Sequence, residues 1–207
     1  MIRVLNINKF SKDLEELKIV KKELISKYEE GYIGKKIYLV TYQDGSTKKV
    51  EQITKNRMNG DAVIIIPVTN DSKFVMILES RPNTIAEMAV EFPAGMVEDG
   101  ENPIETAKRE LREETGYVCE NIYEIENHHQ DQGCSKAVVR VYVATGCKKV
   151  EELKGDGTEK IFSLKLEKAE ILKMIKESDV KMLGINDSGS KLAFLTYLWK
   201  EKDDDNE

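Results

Sequence analysis

Glu110, Glu113 and Glu114 stand at helical spacing in FPAGMVEDGENPIETAKRELREETGYV, residues 92 to 118, and the helix that would carry them stops at Gly116. Carboxylates at i, i+3 and i+4 repel by roughly a few tenths of a kcal/mol per pair, and in a last turn they also oppose the helix dipole. At about 100° per residue the three fall within about 100° of each other, on the flank of the apolar stripe Ile104, Ala107 and Leu111. A solvated face with Arg109 and Arg112 as partial charge partners is the ordinary reading of such a helix, but it leaves the acidic last turn unexplained. A hard divalent cation removes the conflict: Mg²⁺ binds a few carboxylates together with substrate phosphate oxygens and turns repulsion into ligation. The preceding Pro93-Ala94-Gly95 turn adds to this, because Gly95 permits an unusual backbone angle that would aim the Ala94 carbonyl at the same ion.

The helix itself has local start and stop signals. Asn102 before Pro103, with Glu105 three residues past the asparagine, is a capping-box-like start, and Gly116 suits a left-handed stop, so the helix is expected over 103 to 115. Upstream, residues 11 to 30 repeat apolar side chains at Leu14, Leu17, Val20, Leu24 and Tyr28 and predict an amphipathic helix. Two alternating runs around Asp44-Gly45 predict a hairpin over 35 to 54. Residues 61 to 68 and 74 to 80 read as buried strands. Further strands are expected near 117 to 126, 137 to 145 and 160 to 166, and helices near 167 to 177 and 189 to 201. This order predicts an α/β fold with a mixed sheet covered by helices on both faces. The expected division is an N-terminal helix and hairpin region over 1–56, too small to build a core alone, and a main domain over 57–207.

Of the 207 residues 40% are hydrophobic, enough for a real core, and the net charge of −6 without a Lys/Arg cluster gives no footprint for a nucleic-acid or membrane-surface protein. The opening MIRVLNINKFSKDL lacks an apolar signal core, and the longest apolar run, Ala62 to Pro67, is too short to span a bilayer, so the expected location is cytoplasmic. Cys119, Cys134 and Cys147 form no C-x-x-C pair, and reduced, mostly structural thiols are expected.

Gly95, five residues, Glu101, seven residues, then Arg109-Glu110-Leu111-Arg112-Glu113-Glu114-Thr115-Gly116-Tyr117 resembles the Nudix box, G-x5-E-x7-R-E-U-x-E-E-x-G-U, with Tyr117 where an aliphatic residue is usual. The resemblance implies an α/β/α sandwich that uses Mg²⁺ or Mn²⁺ to hydrolyse a nucleoside diphosphate linked to another moiety. It implies metal ligation by Glu110, Glu113, Glu114 and the Ala94 carbonyl, a supporting role for Glu101, and an orienting role for Arg109. Catalysis would rest on Glu113, Glu114 and Arg109, with Glu159 as general base and Asp156 and Glu152 as nearby alternatives.

The run LESRPNTIAEMAVEFPAGMVEDGE further resembles ADP-ribose pyrophosphatases and related nucleotide-sugar hydrolases. By that resemblance Arg81 would contact the pyrophosphate and Glu91 would stand behind it or beside a ribose. The partner would be a nucleoside diphosphate such as ADP-ribose, and the chain a homodimer sharing its N-terminal β-rich part, with Tyr38 or Tyr42 as base-stacking candidates. His128 and His129 would lie in a loop facing the box. The turn Asp131-Gln132-Gly133 departs from the subgroup, which has proline where Gln132 stands, so another nucleotide sugar or a dinucleotide stays open as substrate. A catalytically inactive nucleotide-sensing module is the alternative from another class.

Overall fold

The computed structural model describes residues 16–153 and 160–204. These divide into two compact units: the chain up to Gly60 together with Asp131–Lys136, and Asp61–Gln130 together with Ala137 onward.

The first unit is an antiparallel three-stranded sheet in the order β1 (Ile19–Tyr28), β2 (Ile33–Tyr42), β3 (Thr47–Lys55). The β2–β3 hairpin forms where the sequence placed it: Gly45 has φ +83°, and the Asp44 carboxylate accepts the Ser46 amide at 2.9 Å. The expected helix over 11 to 30 is corrected over residues 19 to 28, while its first five positions, 11 to 15, lie outside the described residues. Residues 19 to 28 are strand β1, paired along β2 from Ile19↔Tyr42 to Tyr28↔Lys35. A spacing of four residues is one helical turn but also two strand periods, so Val20, Leu24 and Tyr28 fit both templates. Ile19, Val20 and Ile25 favour the extended form, and the neighbouring hairpin supplies backbone partners that no local pattern reveals.

The second unit is built on an eight-stranded sheet whose main path is β11 (Ile161–Leu166), β5 (Phe74–Ser80), β4 (Ala62–Thr69), β10 (Val138–Lys149), β8 (Tyr117–Val118). β6 (Met88–Glu91) pairs with β5, β7 (Ala94–Met96) with β4, and β9 (Asn121–His129) with β10. Only β4 and β10 run parallel, and the remaining pairs are antiparallel, so the sheet is mixed. Helix α1 (Pro103–Thr115) covers one face, and α2 (Lys168–Lys176) and α3 (Ser188–Asp204) belong to the other.

Strand alternation divides the core accordingly. Val63, Ile65 and Val75 pack with Ala107 and Leu111 of α1, while Ile64, Ile66, Phe74 and Met76 pack with Ile171 and Phe194. Because β4 is buried on both faces it reads as a continuous apolar run. Phe74 meets Phe194 edge to face, with centroids 5.1 Å apart.

Two further expectations change in detail. The strand expected over 117 to 126 is split into β8 and β9 by a kink opposite Gly146, whose φ of +67° and missing side chain make room for Glu120. The Pro93-Ala94-Gly95 segment is not a turn with an unusual angle at its glycine. Ala94–Met96 is strand β7, and Gly95 is absent from the positive-φ glycines, so its requirement has another origin.

Candidate active site

Helix α1 is set by its ends. The Asn102 side chain accepts the Ile104 amide at 3.2 Å, Pro103 occupies the first turn, and Gly116 at φ +74° returns its N–H to the Arg112 carbonyl at 2.9 Å. Glu151's carbonyl would lie 2.2 Å from a Cβ at Gly116, so a close approach also excludes a side chain there. The stop fixes which residues form the last turn, and with them the flank that carries the three glutamates.

Opposite that flank lies β7. A Cβ on Gly95 would stand 2.0 Å from both Cδ and Oε1 of Glu110, so Gly95 is small because the Glu110 carboxyl occupies the space. One residue earlier, the Ala94 N–H donates to Glu114 Oε2 at 2.9 Å. Strand and helix are thus interlocked through two of the three carboxylates.

Arg109 gathers the rest. Its Nη1 donates to Glu110 Oε1 at 2.7 Å and to Glu113 Oε2 at 3.0 Å, while Nε and Nη2 form a fork on Glu101, each at 3.1 Å. A planar guanidinium suits this bridging. The hydrogen-bonded fork of Arg109 holds the Glu101 carboxyl down at about 2, and the same glutamate is the largest influence raising Arg109 above the usual arginine range. Burial pushes Glu110 upward against the pull of Arg109. Burial drives Glu114 up to about 8, opposed by the Ala94 N–H and reinforced by the negative charge of Glu110 and Glu79.

A second cluster flanks the first. Arg81 donates through Nε to Glu91 Oε1 at 3.1 Å and through Nη2 to Glu91 Oε2 at 2.5 Å, and Nη2 also forms an ion pair with Glu79 Oε2 at 2.8 Å. Ile77 pairs with Glu91 across β5 and β6, so Glu79 and Glu91 share the sheet face that Val75 presents to α1. Burial works against the Arg81 charge, yet Glu91, Glu79 and Glu114 together raise its proton affinity above the ordinary value. Glu79 is the residue that sequence reading missed. The available signal was its i, i+2 spacing to Arg81, which follows directly on the end of the strand, but Glu91 reaches them only through the strand register.

Among the described residues no three carboxylate, imidazole or thiol side chains are gathered around one point as they stand. The donors nevertheless fit a hard divalent cation. They are oxygens only, and Glu110 and Glu114 are withdrawn from water and pushed toward protonation, a penalty that an added cation offsets.

Other anticipated residues lie elsewhere. Glu159 and Asp156 fall outside the described residues, and Glu152 is an exposed partner of Lys149 at 2.6 Å. His128 and His129 are on strand β9, not in a loop. Their Nδ1 atoms contact Glu126 at 3.1 Å and the Ala137 carbonyl at 3.2 Å, respectively. Tyr38 and Tyr42 are on β2 of the first unit, where Lys22 Nζ lies 4.2 Å from the centre of the Tyr38 ring. At the Gln132 turn, the Asp131 carboxylate accepts the Gly133 amide at 2.9 Å, closing without a proline.

Comparison with known proteins points in one direction. The NUDIX domain model matches residues 58–183. A methanol dehydrogenase activator of Bacillus methanolicus is 36% identical over 142 residues, covering 68% of this chain and 74% of that protein. An ADP-ribose pyrophosphatase of Bacillus subtilis is 32% identical over 176 residues, 82% of this chain and 88% of that one. Among solved structures, an ADP compounds hydrolase superposes with a TM-score of 0.71 at 19% identity, covering 90% of this chain and 95% of that chain, a likeness of fold. With its box helix, its mixed sheet and a family match across most of the second unit, the chain belongs to the Nudix domain family.

Proposed function

We propose that the protein hydrolyses the diphosphate bond of ADP-ribose or a similar nucleoside diphosphate sugar, with a divalent cation, Mg²⁺ or Mn²⁺, giving a nucleoside monophosphate and a sugar phosphate. The observation that carries this reading is the interlock of β7 with α1: Gly95 gives way to the Glu110 carboxyl, and the Ala94 N–H holds that of Glu114. The ADP-ribose pyrophosphatase of Bacillus subtilis, similar over most of both chains, supports the substrate class.

Glu110, Glu113, Glu114 and the Ala94 carbonyl would hold the cation. When bound it would screen the diphosphate, polarise a phosphorus–oxygen bond and acidify a water. Arg109 orients Glu110 and Glu113 and keeps Glu101 ionised beside them. Arg81, standing on Glu91, donates to a phosphate oxygen and aligns the diphosphate for in-line attack. The water's proton passes to a carboxylate, with Glu159 as the proposed base. The alternative of the same chemistry is another nucleotide sugar or a dinucleotide, which Gln132 in place of the subgroup's proline leaves open.

The active form is a homodimer. The first unit exposes the apolar side chains of Leu17, Ile19, Val20, Leu24 and Ile25, which a second copy of the chain would cover. No helix among the described residues is long and apolar enough to cross a membrane, and a cytoplasmic setting agrees with three free cysteines.

The test is incubation of purified protein with Mg²⁺ and a panel of nucleoside diphosphate derivatives beside Glu114→Gln. AMP and ribose 5-phosphate from ADP-ribose are the expected products. Turnover of no member would overturn the enzymatic reading, and turnover untouched by the substitution would overturn the assignment of the site.

A further inference from the structure

The segment that serves both clusters changes partners between them. Met88–Glu91 pairs with β5 as far as Ile77↔Glu91, whereas Ala94–Met96 pairs with β4 from Ile64↔Ala94. Between the two, the Pro93 carbonyl accepts the Ile65 amide at 2.9 Å, and Pro93 has no N–H to place. The Phe92 N–H remains, and its partner is a side chain 98 positions away in the sequence: Ser190 Oγ, in the first turn of α3, accepts it at 3.1 Å. Ser190 is 2% exposed and Phe92 0%, so water cannot stand in for the hydroxyl.

Two more contacts tie the same segment to this end of α3. The Gly184 carbonyl, in the loop before the helix, accepts the Val90 N–H at 3.1 Å. The Phe92 ring lies 5.9 Å from that of Phe194, one turn beyond Ser190. The crossover from β6 to β7 therefore has a fixed seat. Glu91, which holds Arg81, precedes it, and Ala94, whose N–H holds Glu114, follows it. The placing of the arginine against the carboxylates of α1 depends on where the strand crosses.

We propose that Ser190 is a positioning residue for the hydrolysis: by receiving the Phe92 N–H at the crossover, its hydroxyl sets the Arg81–Glu91 cluster against the glutamates of α1. This inference rests on the diphosphatase reading above and deepens it. Ser190 acts through the backbone of residues 92 to 94 and touches neither substrate nor cation. Without its hydroxyl the Phe92 N–H is buried with no acceptor, and the segment shifts to relieve it. The Ala94 N–H and carbonyl move with it, away from Glu114, while Arg81 keeps its two-point hold on Glu91. Capture of the diphosphate is preserved and its alignment for attack is lost.

The experiment compares Ser190→Ala, Ser190→Thr and Ile171→Val with the parent, all as the full-length protein. Ile171→Val removes a methyl group from the core that holds Phe92 and Phe194, and leaves every hydrogen bond of the crossover in place. Ser190→Ala is expected to lower kcat for ADP-ribose at least about tenfold with KM within threefold, since a misplacement of about 1 Å costs about a hundredfold. Ile171→Val is expected to stay within threefold in both, and Ser190→Thr, which keeps the hydroxyl, to recover kcat to within threefold of the parent. Amide hydrogen exchange gives a readout without turnover: the Ala94 N–H is expected to exchange at least about tenfold faster in Ser190→Ala than in Ile171→Val.

A kcat loss no larger than that of Ile171→Val, or equal exchange of Ala94 in the two variants, overturns the inference, because a merely structural role moves both alike. A folded Ser190→Thr as slow as Ser190→Ala overturns it too. Ser190→Cys, which keeps the size of the side chain with a weaker acceptor, makes the same comparison if Ser190→Ala does not fold. Should the parent hydrolyse none of the diphosphate panel, the functional reading fails by itself, while the exchange of Ala94 still judges Ser190.

Discussion

Replacing Gly95 by alanine tests the interlock of β7 with the box helix directly. Gly95 is not among the positive-φ glycines, so alanine brings no backbone strain, and the entire effect is the new methyl group. That methyl would lie 2.0 Å from Cδ and Oε1 of Glu110 and 2.5 Å from its Cγ. Carbon atoms rest at about 3.5 Å or more, so the carboxyl must retreat by more than about 1 Å. Its retreat breaks the 2.7 Å bond from Arg109 Nη1, a charge-assisted contact worth about 1 to 2 kcal/mol at a partly buried site.

Activity is expected to suffer more than stability, because a misplacement of about 1 Å in a reacting constellation costs about a hundredfold in rate. Gly95→Ala is therefore predicted to lower kcat/KM for ADP-ribose, followed by AMP release, about a hundredfold, while the melting temperature falls by only a few degrees. Gly100→Ala is the control. That glycine has φ +78° with nothing within 4 Å of a Cβ, so alanine there costs about 1 to 2 kcal/mol of backbone strain and leaves turnover intact. If Gly95→Ala kept its activity within threefold of the parent, the Glu110 carboxyl would not be positioned by this contact and the reasoning would fail.

In the metal-free protein the raised Glu114 gives a pH dependence of known sign. A carboxyl lifted from 4.5 to about 8 by burial stabilises the fold while protonated, so thermal stability is expected to be highest near and below pH 4.5 on this group's account and to decline as pH rises through 8. Glu114→Gln should flatten that decline, and parallel melting curves for the two proteins from pH 5 to 9 would contradict it. Arg109→Ala leaves Glu101, Glu110 and Glu113 without their common partner and is expected to cost about 2 kcal/mol by denaturant unfolding, together with most of the activity. Divalent cations should raise the melting temperature of the parent and abolish turnover when removed by EDTA, and a parent whose melting ignores millimolar Mg²⁺ would argue against the carboxylate site. Leu24→Glu on β1 is expected to convert a dimer to monomers in sedimentation, and an unchanged mass would remove the first unit's apolar surface from the interface.

The sequence by itself determined what is encoded within a turn or two of the chain. Helix α1 runs over 103 to 115 as its cap, its first-turn proline and its terminal glycine dictate, and the hairpin at Asp44-Gly45 and the doubly buried β4 follow from equally local signals. The family was legible too, because the box is a contiguous pattern. Tertiary structure decided whatever depends on a partner remote in the chain. Leu24 and its neighbours became a strand because β2 offers backbone hydrogen bonds along its whole length, which a helical stripe cannot announce. Gly95 proved to be required by a side chain fifteen positions onward, not by its own backbone angle. Glu79 joined Arg81 and Glu91 only when the β5–β6 register brought them together. Local conformational preferences are carried by a few adjacent residues, whereas the placing of charges against one another requires the sheet to have closed.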